Sequence, residues 1–327
     1  MGMIVMEPIR TTSAADSGET PESWLTMPLL MAHETLLRRF ERQRLDLECD
    51  GTGKDVRDMS TDGWQRLEHR LSPTDDAIDV VRLDLVADCD RITSLRALLS
   101  TDEIARADRY VFDESRRRFI VCRGVLRQLL GGCLERKPAS LEFHYGPYGK
   151  PMLGSADKES IGLPSLEFSV SHSVNWALIA VTRRRRVGVD IECRDNKTPI
   201  HELARRFFSA GEAAELASLA EPDQRAGFFR GWTSKEAYLK ATGLGLSYSL
   251  NRFSVAMNPR LPAQLLEVAD LPDPSDFWRM IALEPADHFS AALLVEAARH
   301  ETVRVRQWSV EGQDIPSPSK HHTPDPD

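Results

Sequence analysis

Apolar and polar positions change their period several times along the chain. Between residues 24 and about 47, Leu29, Leu30, His33, Leu36, Leu37 and Phe40 recur at steps of three and four, which predicts an amphipathic helix. The stretch before it, TTSAADSGETPES, is small and polar, the composition of a segment too poor in apolar groups to order itself. From residue 77 the period falls to two, and AIDVVRLDLVA predicts a strand. Residues 101–111 and 114–134 return to helical spacing, the second run rich in arginine. Residues 141–144 predict a short strand and YGPYGKP the turn after it. LEFSVSHSVNWALIAVTRRRRVGVDIE divides into three strand-like runs joined by tight polar turns. Helices are expected at about 200–207, 210–219 and 222–241. Beyond a turn at Gly243 and Gly245, strands are expected near 252–257, 277–283 and 289–296, before a Pro-rich tail, DIPSPSKHHTPDPD.

Two of these runs echo each other. NWALIAVTRR and HFSAALLVEAAR are similar strands, each closing half of the patterned region. Two similar α+β halves packed together fit that echo. No short-period repeat is present.

Composition narrows the function classes. The 327 residues carry a net charge of −8, so the molecule as a whole is not a natural nucleic-acid binder. Cys49, Cys89, Cys122, Cys133 and Cys193 form no CxxC pair, which argues for a reducing compartment and against a disulfide framework or a zinc site. No apolar run is long enough to span a bilayer, and MGMIVMEPIR lacks the layout of a secretory signal. Met6 stands where myristoylation requires Ser or Thr. A cytoplasmic protein is expected. CDGTGKDVRD looks like a phosphate-binding loop, but Glu48 and Asp55 occupy positions where that loop needs Gly and Ser or Thr.

The candidate chemistry starts in VGVDIEC. On a strand, Asp190 and Glu192 point to the same face. Like charges that close repel, and a hard divalent cation such as Mg²⁺ resolves the conflict. The bland alternative is a half-buried strand with a polar outer face. In WTSKEAYLKATGLG, Glu236 and Lys240 share a helix face, either as an ordinary surface pair or as a third acid with a phosphate-neutralising cation. In FSVSHSVNW two serines, Ser171 and Ser173, flank His172, as phosphate donors or as a structural turn. Arg116, Arg123 and Arg127 lie near one helical face, with Arg117 and Arg118 beside them, as a solvated stripe or a phosphate clamp. Gly149 lets backbone approach a ligand, and Lys150 adds a charge. The run from Arg183 to Arg186 reads as a solvated hairpin turn, or at most a patch for an acidic partner. Each feature alone is weak. Together, an acidic pair, a third acid and several cations fit a ligand with more than one phosphate.

In the order YGKP, FSVSHS, VGVDIE, RRFFSAGE and WTSKEAYLKATGLGLS, the chain resembles the 4′-phosphopantetheinyl transferases of the Sfp type over about residues 83–297. That resemblance implies an α+β fold of two similar halves related by a pseudo-twofold, each a small antiparallel sheet on a long helix. It divides the chain into an N-terminal extension, 1–76, halves at 77–186 and 187–300, and a tail, 301–327. It implies coenzyme A in the cleft between the halves, Mg²⁺ on the pyrophosphate, and transfer of phosphopantetheine to a serine of an acyl or peptidyl carrier protein. Asp190, Glu192 and Glu236 match the metal triad, with Glu236 alternatively the base for the serine. Lys240 matches the pyrophosphate lysine. Ser171 and His172 match residues near the coenzyme A phosphates, Lys150 a nucleotide contact, and Arg118, Arg123 and Arg127 fall where the 3′-phosphate is held. Residues 205–215 resemble the part that meets the carrier, and Arg183–Arg186 and Arg205–Arg206 are candidates for steering it. A monomer is expected, with no nucleic-acid or membrane partner. Two rivals remain: a metal-dependent nuclease, whose acid and lysine two apart on a strand are missing here, and a non-catalytic carrier-binding module, which a lost triad acid would mark.

Overall fold

The computed structural model describes residues 63–154, 165–245, 248–269 and 271–310. The helix expected at 24–47 and the Pro-rich tail from 311 lie outside those residues.

Two runs of elements follow each other in the same order. The first is β2 (Ala77–Asp84), α1 (Cys89–Arg96), α2 (Thr101–Asp108), α3 (Asp113–Leu134), a small hairpin β3 (Phe143–Tyr145) and β4 (Pro151–Leu153), then β5 (Leu166–Ser173) and β6 (Trp176–Arg183). The second is β7 (Val187–Cys193), α4 (Ile200–Phe207), α5 (Ala210–Ser218), α6 (Glu221–Thr242), a small hairpin β8 (Phe253–Val255) and β9 (Leu265–Val268), then β10 (Trp278–Leu283) and β11 (Phe289–Glu296). Each long helix, α3 and α6, has 22 residues. In each run the opening strand pairs antiparallel with the closing one, giving the orders β2-β6-β5 and β7-β11-β10. The α+β architecture read from the sequence is present.

Alternation along the strands builds four layers. One face of the first sheet, through Val81, Leu83, Phe168 and Ile179, buries against α3 residues such as Val125 and Leu129. Its other face, through Ile78, Val80, Leu178 and Ala180, meets Val187, Val189, Ile191, Leu293 and Val295 of the second sheet. The far face of the second sheet, through Ala292 and Leu294, packs on α6 residues Ala237 and Ala241. Each fully buried aliphatic side chain stabilises by roughly 1.5–3 kcal/mol, so these three apolar seams fix the stacking.

Two short helices begin at capping boxes. Ser100 N–H donates to Glu103 Oε2 at 3.0 Å at the start of α2, and Ser209 N–H to Glu212 Oε2 at 2.8 Å at the start of α5. Helix α1 escapes a reading of periodicity because only Leu95 of its eight residues is buried; Asp88 caps it by accepting from Arg91 N–H at 2.8 Å.

The chain ends depart from expectation. Residues 301–327 are expected to form a tail, yet β12 (Arg304–Val310) is an inner strand, parallel to β2 on one side and to β1 (Gln65–Arg66) on the other. Its charges hid it. Arg306 and Trp308 both donate to the buried Asp79 at 2.7 Å, so a basic segment enters a sheet because a carboxylate awaits it. The end of the expected N-terminal extension is likewise in the fold, with Trp64, Leu67 and Leu71 buried. Arg82 of β2 lies 5.2 Å from the rings of both Trp64 and Trp176 and donates to Ser309 Oγ, which ties these segments to the sheet.

Candidate active site

The two sheets meet along β5 and β7 without a backbone ladder. Serine hydroxyls do the joining: Ser169 Oγ accepts from Val189 N–H at 3.0 Å, and Ser173 Oγ from Cys193 N–H at 3.1 Å. The same edge carries the acids. Val189 and Ile191 point into the seam between the sheets, so alternation sends Asp190 and Glu192 to the opposite face, toward α6. Ser171 Oγ donates to Asp190 Oδ1 at 2.7 Å, and Ser173 Oγ to Glu192 Oε2 at 3.1 Å.

Helix α6 comes to this face at backbone distance because of Gly188. A Cβ at that position would sit 2.0 Å from the Ala237 carbonyl oxygen and 2.4 Å from the Ala241 nitrogen. Only glycine admits that approach. It places the turn holding Glu236 and Lys240 over β7. Lys240 Nζ donates to Asp190 Oδ1 at 2.7 Å. The lysine's ion-pair partner is thus an acid from the other motif, not the Glu236 one turn away on its own helix.

The three carboxylates are 0 %, 1 % and 6 % exposed at Asp190, Glu192 and Glu236. Burial pushes the Asp190 carboxyl above its usual range, Lys240 pulls against it, and the Glu192 charge adds to the rise. Burial, reinforced by the Asp190 charge and opposed by Lys240, raises Glu236 to about 8. Among the described residues, Asp190 Oδ2 and Glu236 Oε1 are buried with no hydrogen-bond partner. Such oxygens are costly unless something positive or protic meets them. Yet no three His, Cys, Asp or Glu side chains among the described residues converge closely enough to cage a metal ion. Asp190 Oδ1 is taken by Ser171 and Lys240.

Around this centre the other expected residues divide. His172 alternates onto the side of β5 opposite Ser171 and Ser173 and is half-buried. Burial, then the Lys240 charge, hold its imidazole down at about 4, with Glu192 opposing and Arg118 adding to the depression. Arg118 reaches the β5–β6 turn, where Nε and Nη2 donate to Asn175 Oδ1 at 3.0 and 2.7 Å. Lys150 Nζ donates to the Val187 carbonyl at 3.2 Å, tying the GKP turn to the start of β7. The turn itself packs on the second half, since a Cβ on Gly245 would strike the Tyr148 side chain at 2.3 Å.

Arg127 is not at this centre. It is 1 % exposed, with Nε donating to Glu103 Oε2 at 2.7 Å and Nη1 to the Pro138 and Leu141 carbonyls at 2.9 and 3.0 Å. It is a core fastening, not a phosphate clamp. Arg123 lies beside it, 3.6 Å from Glu103 and over the Phe143 ring at 5.1 Å. Arg116 pairs with Asp113 at the helix surface. Of Arg118, Arg123 and Arg127, Arg118 is the one held against the turn that follows His172. The arginines at 183–186 are engaged within the chain, although Arg184 and Arg186 stay exposed at the hairpin turn as expected. Arg183 and Arg185 donate to the Pro73 and Asp75 carbonyls at 2.8 and 3.0 Å, and Arg186 pairs with Glu296 while lying over Trp278. Arg205 and Arg206 remain exposed. Sequence reasoning overlooked Gly188, although a lone glycine in a β-branched run is the signal of close backbone approach.

Comparison with known proteins identifies the family. A family model described as the 4′-phosphopantetheinyl transferase superfamily matches residues 186–292, and one described as 4′-phosphopantetheinyl transferase, N-terminal, matches 88–184. The chain is 39% identical over 232 residues to the 4′-phosphopantetheinyl transferase HetI of Nostoc sp., covering 71% of this chain and 93% of that protein. It is 38% identical over 191 residues to the putative 4′-phosphopantetheinyl transferase slr0495 of Synechocystis sp., covering 58% of this chain and 73% of that protein. To the 4′-phosphopantetheinyl transferase Sfp of Bacillus subtilis it is 33% identical over 173 residues, 49% of this chain and 72% of that one. With the strand acids, the helix acid and the helix lysine brought to one buried face, the chain belongs to the 4′-phosphopantetheinyl transferase family.

Proposed function

We propose that the chain transfers 4′-phosphopantetheine from coenzyme A to a serine of an apo acyl or peptidyl carrier protein, with Mg²⁺ as cofactor. One observation carries the reading. Two buried carboxylate oxygens without partners, on Asp190 and Glu236, lie on the face where Lys240 and Glu192 also gather. Hard oxygen donors of this kind suit Mg²⁺, and Asp190, Glu192 and Glu236 are the residues that would hold it, drawing closer together than they stand in the structure. When bound, the ion neutralises the diphosphate and polarises it for displacement.

The chain's own groups do the rest. Phosphoryl transfer asks mainly for position and charge neutralisation. The carrier serine oxygen attacks the β-phosphorus and forms the new P–O bond. The bond to the nucleotide breaks, and adenosine 3′,5′-bisphosphate leaves with the electron pair. Glu236 in its ionised form, as the alternative to holding the ion, receives the serine proton. Lys240 places its ammonium against the diphosphate charge, leaving Asp190 as it does so. His172 and Arg118 flank the β5–β6 turn and would meet the 3′-phosphate, while Lys150 meets the nucleotide. Arg205 and Arg206, exposed on α4, would steer an acidic carrier.

The test is direct. The protein is mixed with coenzyme A, Mg²⁺ and apo carriers of both kinds, and each carrier is weighed. A carrier that gains one phosphopantetheine supports the reading; unchanged masses across several carriers refute it and leave the carrier-binding alternative. Comparing turnover on acyl and peptidyl carriers then identifies the substrate class.

A further inference from the structure

We propose that the buried pair Glu212–Lys235 is a positioning device that sets the direction of Glu236, an inference resting on the transferase reading above. Lys235 is 0 % exposed. Its ammonium lies 2.8 Å from Glu212 Oε1 and donates to the Leu250 and Phe253 carbonyls at 2.7 and 2.5 Å, which employs all three protons. Glu212 is equally occupied, accepting from Val255 N–H through Oε1 and from Ser209 N–H through Oε2, each at 2.8 Å. The pair therefore ties the start of α5, the middle of α6 and residues 250–255 to one point.

Neighbouring helix residues are turned by about 100°. Lys235 points to that knot, and Glu236, one residue on, points toward β7. Fixing the azimuth of one fixes the other. Buried ion pairs are poor sources of net stability compared with apolar residues of the same volume. What the pair supplies is orientation, next to the acid whose direction matters.

The first half contains the same knot without the chemistry. Arg127 and Lys235 are each the fifteenth residue of their 22-residue helix. Each is met by the Glu of a capping box, Glu103 or Glu212, and each donates to two carbonyls of the segment after its helix. The residue after Arg127 is Gln128, where the second half has Glu236. Glu103 is therefore a built-in control, and Arg127 shows that a guanidinium serves in this kind of knot.

The experiment compares K235M, K235R and E103Q with the wild type in the full chain, using coenzyme A, Mg²⁺ and an apo carrier. K235M is expected to lower kcat about 100-fold with KM for coenzyme A unchanged, as misplacement of a reacting group does. K235R is expected to keep kcat near wild type, and E103Q to lower Tm with kcat per folded molecule unchanged. The idea is overturned if K235M keeps wild-type kcat or loses activity through KM alone, or if E103Q loses kcat as K235M does. If K235M does not fold, K235R decides, because a folded but inactive K235R also overturns it. A crystal structure of K235M with Glu236 in its original place does so without any assay of turnover. A wild type silent on every carrier refutes the transferase reading instead.

Discussion

The two halves share an order of elements, a sheet order and a buried acid–cation knot, and differ in how close the long helix comes to the sheet. In the second half, Gly188 lets α6 touch β7 and β11 at backbone distance. In the first, the backbone neighbour of α3 is α1, where a Cβ on Gly124 would meet Leu95 at 2.7 Å. The residues at matching places follow that difference. The α3-facing side of β2 carries Asp79, Val81 and Leu83, while the α6-facing side of β7 carries Gly188, Asp190 and Glu192. At the sixteenth and twentieth helix positions α3 has Gln128 and Gly132, and α6 has Glu236 and Lys240. In one half the seam beneath the long helix is largely aliphatic. In the other, a missing side chain opens a buried face that charged groups fill. Close packing needs something small, and the acids and Lys240 gather on the face beside that glycine.

That contrast can be broken in several ways. Asp190→Ala removes the acid that takes both Ser171 and Lys240, and transfer should fall below detection in the carrier-mass assay. Full activity there would remove Asp190 from the chemistry. Gly188→Ala should push α6 off β7. Because the clash is with backbone, a loss of at least 1–3 kcal/mol is expected, roughly the cost of overpacking a core, together with most activity; a Tm and turnover like wild type would refute the close-approach argument. Arg127→Met leaves Glu103 buried without its main partner and should cost about 3–5 kcal/mol in denaturant unfolding. KM for coenzyme A should hold, and a large rise would return Arg127 to the phosphate site.

The smallest effect is on pH dependence. The folded chain holds His172 at about 4, below its ordinary 6.5. Between those values the unfolded chain takes up a proton that the fold refuses, so stability rises with pH across the window and is lost as pH falls through it. The full span is at most about 3 kcal/mol, reduced by the ring's partial exposure. Urea midpoints measured from pH 7 to pH 4 should fall less steeply in His172→Gln; parallel curves would argue against an enclosed neutral imidazole.

Much of this was visible in the residues alone. A strand period of two puts Asp190 and Glu192 on one side whatever surrounds them, and four-residue spacing does the same for Glu236 and Lys240. Alternation and helical spacing are properties of the local backbone, so the major elements and the acidic set follow from them. Which partner each side chain meets does not. Lys240 chose Asp190 over Glu236, Arg127 chose Glu103 over a ligand, Arg183 and Arg185 took backbone carbonyls at residues 73 and 75, and the basic strand β12 entered the sheet beside Asp79. These outcomes depend on groups tens to hundreds of residues apart in the chain, and only packing brings such groups together. Spacing along one element says which residues share a face, but tertiary structure alone decides what that face meets.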